Sequence, residues 1–113
     1  MHEASIAQNL LGIILSKAKE CNAKKITKIT LKLGEFTGIN QESLTFAFKN
    51  ITQETIAKNA ILDIVPSALM GKCRKCNEEF EINKIEFKCP KCNSILIDIV
   101  SGEDLFVDNI EIE

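Results

Sequence analysis

No apolar run in this 113-residue chain approaches 18 residues, so nothing in it reads as a membrane-spanning helix. The first twenty residues lack both a basic leader and a small-residue cleavage pattern, and the expected setting is soluble and cytoplasmic. There is no basic tail and no long basic helix, and the formal net charge is -2. Nucleic acid is therefore disfavoured as the main partner, and no membrane partner is expected. The chain also lacks a phosphate-binding loop, a nucleophile with a paired base, and a carboxylate pair in a recognisable setting. It is not read as an enzyme. Beyond its cysteine pairs it has no internal repeat or low-complexity segment, and histidine occurs once, at His2.

What is present is concentrated in two cysteine pairs, CRKC at Cys73–Cys76 and CPKC at Cys89–Cys92, with twelve residues between them. Two cysteines separated by two residues can place both thiolates on one ion, and a second pair closes a tetrahedral four-sulfur site. Four soft ligands favour a closed, structural Zn(II) site held by Cys73, Cys76, Cys89 and Cys92. An iron–sulfur ligand set can look the same. A redox dithiol fits less well, because the second pair would then have no purpose. Lys72, Arg74, Lys75, Lys88 and Lys91 crowd the pairs. They either help to keep thiolates ionised or simply solvate a loop surface. Cys21 lies outside the pairs, with no motif around it, and is expected to be a small, partly buried thiol.

Around this segment the patterning is that of a small α+β protein. Ala4, Ala7, Leu10, Leu11, Ile14 and Ala18 recur at helical spacing and predict a helix over about 4–20. Residues 28–33 alternate, with Ile29, Leu31 and Leu33 on one face, and predict a strand ended by Gly34. Leu44, Ala47, Phe48 and Ile51 mark a second helix capped by Asn40, with Glu42 in its first turn. Residues 52–59 read as irregular, and 61–65 as a strand that Pro66 places at an edge or an end. Phe80 and Ile82 are expected to face Ile85 and Phe87 in a hairpin across Asn83–Lys84. Residues 95–100 and 106–112 complete the strands, with Phe106, Ile110 and Ile112 on one side of the last. The expected fold is two helices packed on a small three-stranded sheet (28–33, 61–65, 106–112), with an inserted four-cysteine zinc-ribbon lobe. The expected domains are 1–68, completed by 104–113, and a ribbon over 69–103.

A second chemical feature is the start, Met1, His2 and Glu3. A bulky residue at position 2 is expected to leave the initiator methionine in place. A free α-amine, the backbone nitrogen of residue 2 and its imidazole can then form fused chelate rings around one ion. Deprotonated amide nitrogen suits ions that accept square-planar geometry, nickel(II) and copper(II) above all. On residues alone, an incidental terminal histidine is the favoured reading and a metal ligand the alternative.

MHE at the start, GEFTGINQESLTFAF at Gly34–Phe48, AILDIV at Ala60–Val65, the two cysteine pairs and the closing SGEDLFVDNIEIE together resemble the HypA family of hydrogenase-maturation nickel metallochaperones. The resemblance runs over essentially the whole chain. It implies a structural zinc ribbon on the four cysteines and transient Ni(II) cargo on Met1, His2 and Glu3. It also implies delivery, with a maturation GTPase, to the nickel-iron hydrogenase large subunit, and in some organisms service to urease and its accessory proteins. One departure is Asn40, where some members carry an acidic residue that supplies a further nickel carboxylate. Asn40 is therefore a weaker candidate ligand, with Glu42, Glu3 or water as alternatives. The remaining alternative is a zinc-ribbon adaptor that binds protein or nucleic acid without nickel transfer.

Overall fold

Residues 3–82 and 87–113 are described in the computed structural model, in the order α1 (Glu3–Glu20), β1 (Ile26–Gly34), a 3-10 turn (Glu35–Thr37), α2 (Gln41–Ile51), β2 (Ile61–Ser67), β3 (Met70–Cys73), β4 (Glu79–Glu81), β5 (Ile97–Ser101) and β6 (Leu105–Ile112). The chain divides into two units, one of Met1–Lys32, Gly38–Val65 and Phe106–Glu113, the other of Leu33–Thr37 and Pro66–Leu105. Among the described residues no helix is long and apolar enough to cross a membrane.

In the first unit, α1 buries Ala7, Leu10, Leu11, Ile14 and Ala18 along one face, as the i, i+3, i+4 spacing requires. Ala4, expected on that stripe, is exposed. The helix carries Glu3 in its first turn and Lys17 and Lys19 in its last, charges that complement its dipole. It stops at Asn22, which takes the left-handed conformation (φ 56°). The Asn22 and Ala23 N–H groups donate to the carbonyls of Lys19 and Ala18, both at 3.0 Å, a bonding pattern that closes many helix ends. This turn leaves Cys21 exposed rather than partly buried, because a helix-terminating residue has no neighbouring turn to cover it.

Helix α2 is opened by Asn40, whose side-chain Oδ1 accepts the Ser43 N–H at 2.9 Å, as its N-cap role predicts. The helix packs against α1 and buries Leu44 and Phe48. Ile26, Ile29 and Leu31 of β1 complete the fully buried set. Each such side chain contributes about 1.5–3 kcal/mol. The sheet order is β2–β1–β6, so the strand containing Pro66 lies at an edge, where a missing N–H is tolerated. It runs on through Pro66 to Ser67 instead of ending before it. Lys25 and Glu113 exchange backbone hydrogen bonds at the start of β1 and the end of β6, an antiparallel arrangement. Phe106 and Ile112 remain partly exposed, so their shared side of β6 is not a covered face.

The second unit holds a sheet of order β4–β3–β5. Strands β3 and β4 are antiparallel, with Met70 opposite Glu81 and Lys72 opposite Glu79. Their connection is the first cysteine pair itself. The expected hairpin across Asn83–Lys84, with Ile85 on its second arm, lies partly outside the described residues. Its first arm, Glu79–Glu81, pairs with β3, because the first cysteine loop does the work of a turn. The residues leading into the first cysteine pair, from Met70, form β3. Strand β5 pairs with the other side of β3, Gly71 opposite Ile99 and Cys73 opposite Ile97, with a bulge between Met70 and Gly71.

Close approaches require glycine at Gly34, Gly71 and Gly102 of this unit. A Cβ on Gly71 would sit 2.6 Å from the Ile97 side chain and 2.9 Å from that of Ile82. Gly102 has φ 95° and would bring a Cβ to 2.5 Å from Leu69 Cα. Gly102→Ala is accordingly expected to destabilise this unit by about 2–3 kcal/mol in denaturant unfolding, since neither the backbone angle nor the facing backbone can yield cheaply. Gly12→Ala is the counterpart, because nothing lies within 4 Å of a Cβ there. In the middle of α1 it should stabilise by about 0.5–1 kcal/mol.

Candidate metal centre

The two cysteine pairs fold into two copies of one loop. In the first, Cys73 N–H donates to the Glu78 carbonyl and Asn77 N–H returns to the Cys73 carbonyl, both at 2.9 Å. In the second, Cys89 N–H donates to the Ser94 carbonyl and Asn93 N–H to the Cys89 carbonyl, again at 2.9 Å. Each loop then turns its amides onto sulfur. Lys75 N–H reaches Cys73 Sγ and Lys91 N–H reaches Cys89 Sγ, both at 3.4 Å. The reversal after each pair is made by Asn77 and Asn93, both at φ 63°. Asparagine enters this left-handed region more readily than most residues. The repeated Cys-x-x-Cys-Asn was a sequence signal for this turn that ligand spacing alone does not register.

The loops bring all four Sγ atoms within 4.8 Å of one another, the one such group of metal-ligating side chains among the described residues. Cys73 and Cys92 sulfurs lie 3.5 Å apart, as do those of Cys76 and Cys89. A tetrahedral Zn(II) with Zn–S of about 2.3 Å needs sulfurs about 3.8 Å apart, which small side-chain adjustments supply. The donor set thus fits a closed four-thiolate site for a metal such as zinc, with no position left for a substrate. Cys73 and Cys89 are fully buried, so the site is part of the ribbon's interior.

Electrostatics within the cluster are asymmetric. The Cys76 N–H directed at Cys73 Sγ, helped by that of Lys75 and opposed by burial, holds the Cys73 thiol down at about 6. Burial is the largest influence on Cys89 and opposes ionisation, but the N–H groups of Cys92 and Lys91 outweigh it and its value is lowered. For Cys76 the Glu78 N–H favours the thiolate, yet burial and the adjoining Cys89 and Cys73 sulfurs push it up to about 12. Cys92 is raised in the same way, against the pull of the Ser94 N–H, by burial and the Cys73 sulfur. Without a cation, the thiolate is thus favoured at one cysteine of each pair, Cys73 and Cys89, and disfavoured at the other, Cys76 and Cys92.

Elsewhere, Glu3 Oε2 accepts the Asn40 N–H at 3.4 Å, which brings a residue of α1 to the start of α2. A carboxylate is favoured there by the unpaired N–H groups of a helix N-terminus. Asn40 Oδ1 is engaged by Ser43, so its amide oxygen already serves as the cap. Glu42 is exposed in the first turn of α2. Met1 and His2 lie outside the described residues.

Comparison with known proteins follows the same residues. A family model described as "Hydrogenase/urease nickel incorporation, metallochaperone, hypA" matches residues 1–112. The chain is 37% identical over 115 residues to a hydrogenase maturation factor HypA of Caldanaerobacter subterraneus, covering 100% of both chains. It is 34% identical over 113 residues to the same-named factor of Dehalococcoides mccartyi, covering 100% of this chain and 95% of that one. The solution structure of the Ni metallochaperone HypA from Helicobacter pylori superposes with a TM-score of 0.75 at 29% identity, covering 99% of this chain and 97% of that one.

Metal uptake at the cysteines should be visible as proton release. The Cys76 and Cys92 thiols, both shifted up, carry protons at pH 7 in the metal-free protein, and a dication must expel them, so at least two protons should appear per zinc bound. As pH falls through the Cys73 value of about 6, a further proton competes and affinity should fall more steeply. Calorimetry in two buffers of different ionisation enthalpy reads this number. Cys73→Ser or Cys89→Ser should lose the zinc and the order of the ribbon while the α1 and α2 helical signal largely survives. Equal loss of order in both units would point instead to one shared core.

Proposed function

We propose, from the premise that the chain belongs to the HypA family of nickel metallochaperones for hydrogenase maturation, that it carries Ni(II) as transient cargo on Met1, His2 and Glu3. The observation that carries this reading is the family match over residues 1–112. On this reading the domain over 1–68, completed by 104–113, is the nickel-binding part, and the ribbon over 69–103 is structural. Nickel is handed, together with a maturation GTPase, to the nickel-iron hydrogenase large subunit, and service to urease accessory proteins is part of the same proposal. The protein acts as a carrier in the cytoplasm and catalyses no reaction of its own.

The chemistry divides the two ions. Four thiolates that enclose an ion suit permanent retention, whereas a terminal amine, a backbone nitrogen and an imidazole suit capture and release. Ni(II) accepts deprotonated amide nitrogen in a planar set, for which zinc has no preference. The Glu3–Asn40 contact supports the reading by anchoring the first turn of α1 at a fixed point, one residue from the proposed imidazole donor and two from the amine. Glu3 can offer its carboxylate by exchanging that contact for the ion. Asn40 is the weakest member of the set, since coordination through its amide oxygen would give up the Ser43 cap at a cost of about 1 kcal/mol. Water or Glu42 then completes the shell.

Nickel calorimetry on four proteins tests this. His2→Ala should weaken nickel binding at least about tenfold with zinc content unchanged. One extra residue before Met1 should be nearly as damaging, because the primary amine becomes a peptide nitrogen and the histidine leaves chelate register. Asn40→Asp should keep the cap and leave affinity equal or higher. For the parent protein, affinity should weaken as pH falls toward 6, because imidazole, amine and amide must all be unprotonated to bind. Unchanged affinity in both His2→Ala and the extended protein would rule out the terminal site.

A further inference from the structure

The ribbon carries an exposed apolar surface beside the metal centre. Ile95 is the most exposed large apolar side chain among the described residues, at 75%, and Leu96 beside it is 57% exposed. They line a groove of about 680 Å³ together with Arg74, Lys75, Asn93, Ser94 and, where the groove borders the metal centre, Cys92. This pair is not a loose loop. Leu96 accepts the Arg74 N–H at 2.9 Å and donates its own N–H to Ser94 Oγ at 3.1 Å. Ile97 N–H bonds the Ile95 carbonyl, and Ser94 is tied to the second cysteine loop through Cys89. The backbone that presents the apolar side chains is therefore fixed before any partner arrives, which lowers the ordering cost of binding.

The charges on the groove are of one sign. Both charged lining residues are cationic, and Arg74 is already satisfied by Asp98, with Nη2 at 2.7 Å from the carboxylate. Lys75 has no ion pair among the described residues, and its backbone is fixed by the bond to Cys73 Sγ. One unpaired cation beside two exposed aliphatic side chains matches one carboxylate beside an aliphatic group. It does not match a polyanion, which needs several cations, or a nucleic-acid base, which needs an aromatic platform that the groove lacks.

We propose that the groove of Arg74, Lys75, Asn93, Ser94, Ile95 and Leu96 is a docking site for a protein segment with a large aliphatic side chain next to a carboxylate. The site is independent of nickel, so its failure would leave the carrier reading untouched. The probe is a seven-residue peptide with two adjacent leucines flanked by an aspartate and a glutamate. It is titrated into zinc-loaded, nickel-free, isotope-labelled full-length protein and followed by amide chemical shifts. Shifts should concentrate at Lys75 and Ser94–Leu96. The same peptide with lysines for its acidic residues, or serines for its leucines, should bind at least about fivefold more weakly. Ile95→Ser and Lys75→Gln should each weaken binding by a similar factor, and in Ile95→Ser the zinc content and the remaining spectrum should be unchanged. No shifts at millimolar peptide, shifts confined to other residues, or binding indifferent to both substitutions would overturn the proposal. So would tighter binding of single-stranded RNA at Lys75, or concentration-dependent shifts at Ile95 and Leu96 without peptide, which would assign the groove to nucleic acid or to a second copy.

Discussion

Four sulfur atoms that the backbone forces together are the constraint on which the ribbon depends. Two thiolates 3.5 Å apart, as Cys73 and Cys92 would be, repel by about 5 kcal/mol even at an effective dielectric constant near 20. A dication removes that conflict. Around the cysteines the second unit has little else to hold it, since its fully covered apolar side chains are few, Leu69 and Ile82 among them. Gly71 shows how small that interior is, because the Ile97 and Ile82 side chains occupy the place where its Cβ would be. A unit of this size commonly needs a metal to fold, and the donated N–H groups of Lys75 and Lys91 prepare its ligands.

The first unit is under no such constraint. Ile14, Ile26, Ile29, Leu31 and Leu44 are fully buried within it, and its helices are closed by ordinary caps at Asn22 and Asn40. It can hold its form without an ion, which suits the proposed carrier role, in which cargo comes and goes. A carrier benefits from this separation. If the permanent ion and the cargo shared ligands, release of one would endanger the fold that holds the other.

Much of this was legible in the residues. The helical stripe of α1, the alternation of β1 and the Asn40 cap are local patterns, and local physics fixed them. The four-cysteine group was legible because spacing alone brings each pair together. What escaped was set by pairing across the chain. Glu79–Glu81 reads equally well as the arm of a hairpin on either side, and only the closure of the first cysteine loop commits it to β3. Pro66 signals an edge correctly but not that the strand continues past it. Cys21 is exposed because of the turn at Asn22, a feature that composition does not show. The Glu3–Asn40 contact joins residues 37 positions apart and has no local signature.

The central claim is that two ions occupy two chemically distinct places, zinc among four sulfurs and nickel among nitrogen and oxygen donors. X-ray absorption at the zinc and nickel edges of one sample loaded with both metals measures this directly. The account predicts a zinc shell of four sulfurs at about 2.3 Å and a nickel shell with no sulfur, including an imidazole contribution that disappears in His2→Ala. Sulfur in the nickel shell, or zinc without it, would contradict the separation of the structural site from the cargo.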